Sequence, residues 1–224
     1  MSKQEDRLQL LLKMYDQMFN DINTHITVIW QSAGVLVSAF AIFALAEKQV
    51  INVDISAAFI ILIAGWLLAH LQDASYWYNR NLVIIANIER QFLEQDDLKH
   101  IHYYFGAHRP NNRMITHLRI QYVFGLGIGF IVLWSHLSTR VFPGMHIGST
   151  FDPQRLLPYV ILIAVCICLH QMHGHFTRKY REFIEMSPGT QIKTDGIVYG
   201  EGHGFPKVKK LAKAETTDED ERAK

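Results

Sequence analysis

The sequence predicts an all-α protein, a bundle of four transmembrane helices whose long helices extend into the cytoplasm. Two observations carry the fold and a third carries its orientation. Four stretches are almost free of charge, helical apolar periodicity continues beyond their ends, and Lys and Arg collect on one side of them. The overall composition hides this: of 224 residues 49% are hydrophobic, and 22 Lys+Arg balance 21 Asp+Glu. A near-neutral chain has no basic face for nucleic acid, so no direct nucleic-acid binding is expected. Cys166 and Cys168 lie two positions apart in an apolar segment, which excludes a disulfide scaffold.

The first span is 26–46, ITVIWQSAGVLVSAFAIFALA, whose 21 uncharged residues suffice to cross a hydrocarbon core. Before it, Leu8, Leu11, Leu12, Tyr15, Phe19 and Ile22 fall on one helical face, so a cytoplasmic amphipathic helix over 1–25 runs into the span. The second span, 55–71, is followed by DASYWYNRNLVIIANIERQFLEQDD with no Gly or Pro, and one helix is predicted from about 55 to near 95. The break falls at FGAHRPNNR, where Asn111 or Asn112 would cap the helix of the third span, 120–137. The fourth span, 156–172, has Pro158 in its first turn and continues through HGHFTRKYREFIEM to Ser187-Pro188-Gly189. The unit 26–189 is thus a four-span bundle with a helical stalk at 72–119, and 190–224 is a C-terminal arm followed by a charged tail. The basic part of that tail either touches anionic headgroups, at about 1 kcal/mol per Lys, or is simply solvated.

Orientation follows from the charges. Only Lys48, Arg140 and Arg155 lie in the short loops 47–54 and 138–155; the other 19 of 22 basic residues lie on the opposite side. The positive-inside rule then puts both termini in the cytoplasm. The first apolar segment is too long, and lies too far from the start, for a cleaved signal peptide.

Polar groups at membrane depth need partners and are functional candidates. On span one Thr24, Gln31 and Ser38 are seven apart with Gly34 beside them, giving either a close-packing face or the wall of a narrow oligomeric pore. On the second helix Asp73, Trp77, Arg80, Asn87 and Gln91 share a face, for helix packing or for a cytoplasmic partner; Asp73 and Arg80 are placed to pair with a facing helix. Gly125 and Gly129 form a GxxxG pair on span three, which permits close helix approach. Cys166, His170 and His173 lie together on span four as weak metal candidates, against packed histidines as the alternative. The sequence has no P-loop, GxSxG, HExxH or CxxC, so neither an enzyme nor a bound cofactor is expected.

In layout, residues 5–185 resemble small multi-span membrane proteins of bacterial defence loci, the SLATT and four-span effector families of antiphage systems. The likeness lies in long helices passing from membrane to cytoplasm, a tight external loop, and the aromatic, Arg-bearing DASYWYNRNLVIIANIERQFL after span two. The resemblance implies a homo-oligomeric effector of the bacterial inner membrane that permeabilises it when a cytoplasmic partner protein or signalling ligand reports infection. The rival expectations are a platform that recruits a cytoplasmic protein, and a transporter of a small solute or metal.

Overall fold

A computed structural model describes residues 3–93, 97, 111–145 and 152–187, apart from the side chains at 25–26, 28–33, 35–36 and 145. The described residues form four long helices and no strand. They are α1 (Lys3–Glu47), α2 (Val53–Phe92), α3 (Thr116–His136) and α4 (Leu157–Glu185). The amphipathic N-terminal stretch and the first apolar run are one helix of 45 residues, because nothing between them breaks it. α2, at 40 residues, runs well past the end of its apolar segment for the same reason.

Helices α1 and α2 are joined by a tight turn. Gln49 has φ 56°, Val50 N–H donates to Leu45 O at 3.0 Å and Gln49 N–H to Ala46 O at 3.0 Å, which closes α1 in a Schellman-type cap. Asn52 then caps α2 by accepting from Asp54 N–H at 2.7 Å. α3 passes directly into one wide π turn, Leu137–Val141, followed by a 3-10 turn at Phe142–Met145. A second 3-10 turn at Pro153–Leu156, with Pro153 at its start, leads into α4.

All three other helices pack on α2, and they touch one another little. In mid-bundle, Ala39 of α1, Ile60 and Ile61 of α2 and Val132 of α3 form a buried cluster, joined by Ile161 and Leu162 of α4. Gly65 lets α4 approach: a Cβ there would sit 2.5 Å from Val165 Cγ1. Beyond it, Leu67, Leu71 and Ala74 enclose Leu118 of α3. At the end where α1 begins and α4 finishes, Ile22 with Tyr15 and Phe19 of α1 packs on Leu82 and Ile85. The other end, with the α1–α2 turn, is called the hairpin end below, and this one the tail end.

Among the described residues three helices are long and apolar enough to cross a membrane: Val53–Phe92, Thr116–Gly144 and Pro153–Glu185. The expected fourth, 26–46, is not among them: within the described residues the apolar part of α1 counts as Val37–Glu47, which is too short alone. Much of 26–46 falls where side chains are not described, and 190–224 lies outside the described residues altogether. The apolar windows of the three helices are 56%, 17% and 6% buried in chain order, so α2 is the core and α3 and α4 turn apolar surface outward. Phe130 and Ile131 on α3 and Val160 and Ile163 on α4 are all more than half exposed. So much contiguous apolar surface marks contact with lipid or another chain.

The segment before α3 departs from expectation. Its cap is Ile115, with no side-chain hydrogen bond, and neither Asn111 nor Asn112 serves. Asn112 is engaged elsewhere: buried Asn79 of α2 donates to Asn112 Oδ1 at 2.8 Å and to Arg113 O at 3.0 Å. Satisfying a fully buried amide outweighs capping a helix whose first turn can be hydrated.

Candidate functional site

The densest polar constellation lies at the hairpin end. Asp54, in the first turn of α2, is 0% exposed, and a carboxylate so buried needs compensation. Arg140 supplies it as a fork, Nε donating to Oδ1 and Nη2 to Oδ2, each at 3.0 Å. His136, one turn earlier and 2% exposed, places Nε2 2.9 Å from Oδ1. An ionised carboxylate only accepts, so Nε2 carries the proton that it shares with Asp54, and Nδ1 lies within hydrogen-bond distance of the Tyr159 hydroxyl at 3.2 Å. One hydrogen-bonded chain therefore joins α2, α3 and α4. The π turn begins directly after His136 and contains Arg140, so both side chains reach one carboxylate from the widened end of α3. Arg140 also lies 3.8 Å from Asp152, which lies 3.7 Å from Arg155, and Asn52 donates to Gln154 at 3.2 Å.

None of these residues stood among the sequence candidates. Arg140 and Arg155 served only to orient the chain, and Asp54 read as the last residue of a loop. The available signal was scarcity: the hairpin side has few charges, and a carboxylate one residue before an apolar run has to find one of them.

At the tail end, the Asp73–Gln91 face divides. Asn87 donates to Ser187 Oγ at 2.8 Å and Gln91 accepts from Arg7, so both join helices within the chain. Asp73, Trp77 and Arg80 instead line an open cleft of about 410 Å³ between α2 and α4. Arg80 reaches the facing helix, but among the described residues the group it meets there is an aromatic ring. Its guanidinium lies over the Trp77 ring at 4.9 Å and over Phe183 of α4 at 5.5 Å. Tyr76 stacks on Phe176 at 5.3 Å along the same seam. α1 is tied to this end by Tyr15, which donates to Glu89 at 3.2 Å.

The other candidates separate just as clearly. Thr24 and Ser38 lie exposed on α1, their hydroxyls donating to the carbonyls of Asn20 at 2.9 Å and Gly34 at 3.0 Å. The Gln31 side chain lies outside the described residues. The two GxxxG glycines have different roles: a Cβ on Gly125 would meet Leu68 at 3.1 Å, whereas one on Gly129 would meet nothing within 4 Å. Cys166, His170 and His173 are exposed on α4, and among the described residues no three His, Cys, Asp or Glu side chains are grouped to hold a metal. Convergence would need donors from a second helix, and α4 turns that face away from the bundle.

The described residues thus form an all-helical fold with three membrane-length helices organised on a central α2. The chain matches no protein-family model, no curated protein and no solved structure.

Proposed function

We propose that the protein is a four-span membrane protein, with 26–46 as the additional span, that assembles with copies of itself around the small polar face of α1 and permeabilises the membrane when its tail end receives a signal. The observation that carries this reading is the division of α1 into two faces. Ile22 and Ala39 pack against α2 and Ala46 is buried, while among the described residues Thr24, Gly34 and Ser38 are exposed and a Cβ on Gly34 would meet nothing within 4 Å. Small residues there allow close approach of another copy, and hydroxyls already satisfied by the backbone can line a narrow aqueous path at little cost. The distribution of Lys and Arg favours cytoplasmic termini, which puts the tail end where a cytoplasmic signal can reach it. Permeabilisation in phage defence is the activity that the resemblance to antiphage effectors implies.

The test is dye release from liposomes that carry the purified protein, beside its native mass in nanodiscs. Gln31→Leu is expected to retain the mass and abolish release. Unchanged release at equal mass removes the α1 face from the pore.

The α2–α4 cleft favours a second reading, a platform that recruits a cytoplasmic partner through Asp73, Trp77 and Arg80. In that case Arg80→Ala abolishes co-purification of the partner, and membrane potential is unaffected throughout.

A further inference from the structure

Helices α1 and α3 both lie on α2 without closing on each other, and a groove runs between them. Ile60 of α2 forms part of its floor, with Phe40 and Phe43 on one side and Ile128 and Ile131 on the other. From Phe40 and Ile128 it continues along α3 past Gly127 to Arg119, as an open channel of about 540 Å³. Small-molecule sites have volumes of roughly 300–1,000 Å³. Among the described residues the lining is apolar except at its tail-side mouth, where Arg119 stands directly before Ile120.

Three features identify an occupant. The first is charge: no hydrogen bond or ion pair of the Arg119 side chain is found among the described residues, and the first turn of α3 holds no acid and no side-chain cap. Arg119 is exposed, and a guanidinium beside the positive end of a helix dipole is free to hold an anion. The second is length. From Arg119 to Ile131 the helix rises ~18 Å, close to the roughly 15 Å of one leaflet's hydrocarbon. The third is width, because a Cβ on Gly127 would meet nothing within 4 Å.

We infer that the α1–α3 groove is a phospholipid site, with the phosphate held by Arg119 and one acyl chain lying along Phe40, Ile128 and Ile131. The site rests on the membrane-embedded part of the proposed function and not on the pore. A soluble phosphate would use Arg119 alone and leave the apolar channel empty, whereas a helix of a second copy would fill the channel without calling on Arg119.

The full-length protein is first floated with liposomes, then delipidated in mild detergent and titrated with phosphatidylglycerol, with phosphatidylethanolamine or with inorganic phosphate, and bound species are counted by native mass spectrometry. One phospholipid is expected to bind well above the background of bulk lipid, with no competition from inorganic phosphate. Arg119→Gln is expected to weaken it about tenfold, the loss of one charge-assisted contact. Gly127→Phe, which fills the channel from a position open to substitution, is expected to remove it. Gly129→Phe is the matched control, on the same helix, equally open and outside the groove, and is expected to retain it. Equal retention in the two Phe variants overturns the site, as does competition by inorganic phosphate. Loss of self-association in Gly127→Phe with lipid binding intact also overturns it, in favour of a second copy. Failure to float removes the membrane reading, and the site with it, while flotation without selective binding removes the site alone.

Discussion

Breaking the hairpin-end network from its two sides should have unequal effects. Arg140→Ala leaves Asp54 0% exposed with only His136 beside it. Loss of one partner from a buried ion pair typically costs ~3–5 kcal/mol, because the remaining charge is stranded. Asp54→Ala strands Arg140 instead, but that side chain is 34% exposed and can turn to solvent. Its share of the cost is then largely returned, and what remains is the lost acceptor for buried His136 and a small void, about 2 kcal/mol together. For a chain of this length the two changes should lower Tm by roughly 6–20 °C and 4–8 °C respectively. The decisive variant is the double one: with the stranded carboxylate gone, Asp54→Ala in the Arg140→Ala background should raise Tm. Thermal unfolding of the four proteins in one detergent by circular dichroism measures this cycle. Additive losses, or a larger loss for Asp54→Ala than for Arg140→Ala, would refute the claim that burial of Asp54 dominates the joint.

Two further predictions concern the backbone. Gly65→Ala puts a methyl 2.5 Å from Val165 Cγ1 and should destabilise the α2–α4 seam by ~1–3 kcal/mol, with Val165→Ala restoring it, whereas Gly127→Ala should cost nothing; thermal melts distinguish them. Gln49 holds φ 56° without being glycine, so Gln49→Gly should stabilise the turn by about 1 kcal/mol and raise Tm by roughly 2–4 °C in the same assay.

Local pattern carried much of the architecture. The uninterrupted run after span two gave α2 its length because Gly and Pro are the residues that would have ended it, and none occurs. The same pattern could say nothing of Asp54, whose partners lie 82 and 86 positions away, on a helix whose end changes pitch. Periodicity reports which residues share a face and is silent on what that face meets. This is why Asp73, Arg80, Asn87 and Gln91 formed one stripe in the sequence and divide into a cleft and two interhelical joints in the fold. It is also why Gly125 and Gly129, alike in the motif, are a contact and an open position.

The two ends of α2 are joined to their neighbours by bonds of different strength. At the hairpin end a buried carboxylate, a guanidinium and an imidazole hold α2 to α3, and Tyr159 extends the link to α4. At the tail end Asn87 of α2 and Ser187, just beyond the end of α4, make a neutral bond, Tyr15 reaches Glu89 from α1, and Arg80 rests on two rings beside an open cleft. A neutral hydrogen bond contributes about 1 kcal/mol, and a cation over a ring a comparable amount. A partner or ligand that separates α4 from α2 at the tail end has also to expose buried Tyr180 and part the Tyr76–Phe176 stack, at about 2–3 and about 1 kcal/mol, so the total comes close to the roughly 8 kcal/mol that micromolar binding supplies. Opening the hairpin end would strand a buried charge. In the proposed membrane reading the hairpin end is therefore the pivot and the tail end the part that opens, so that a small opening at the cleft is carried along α4.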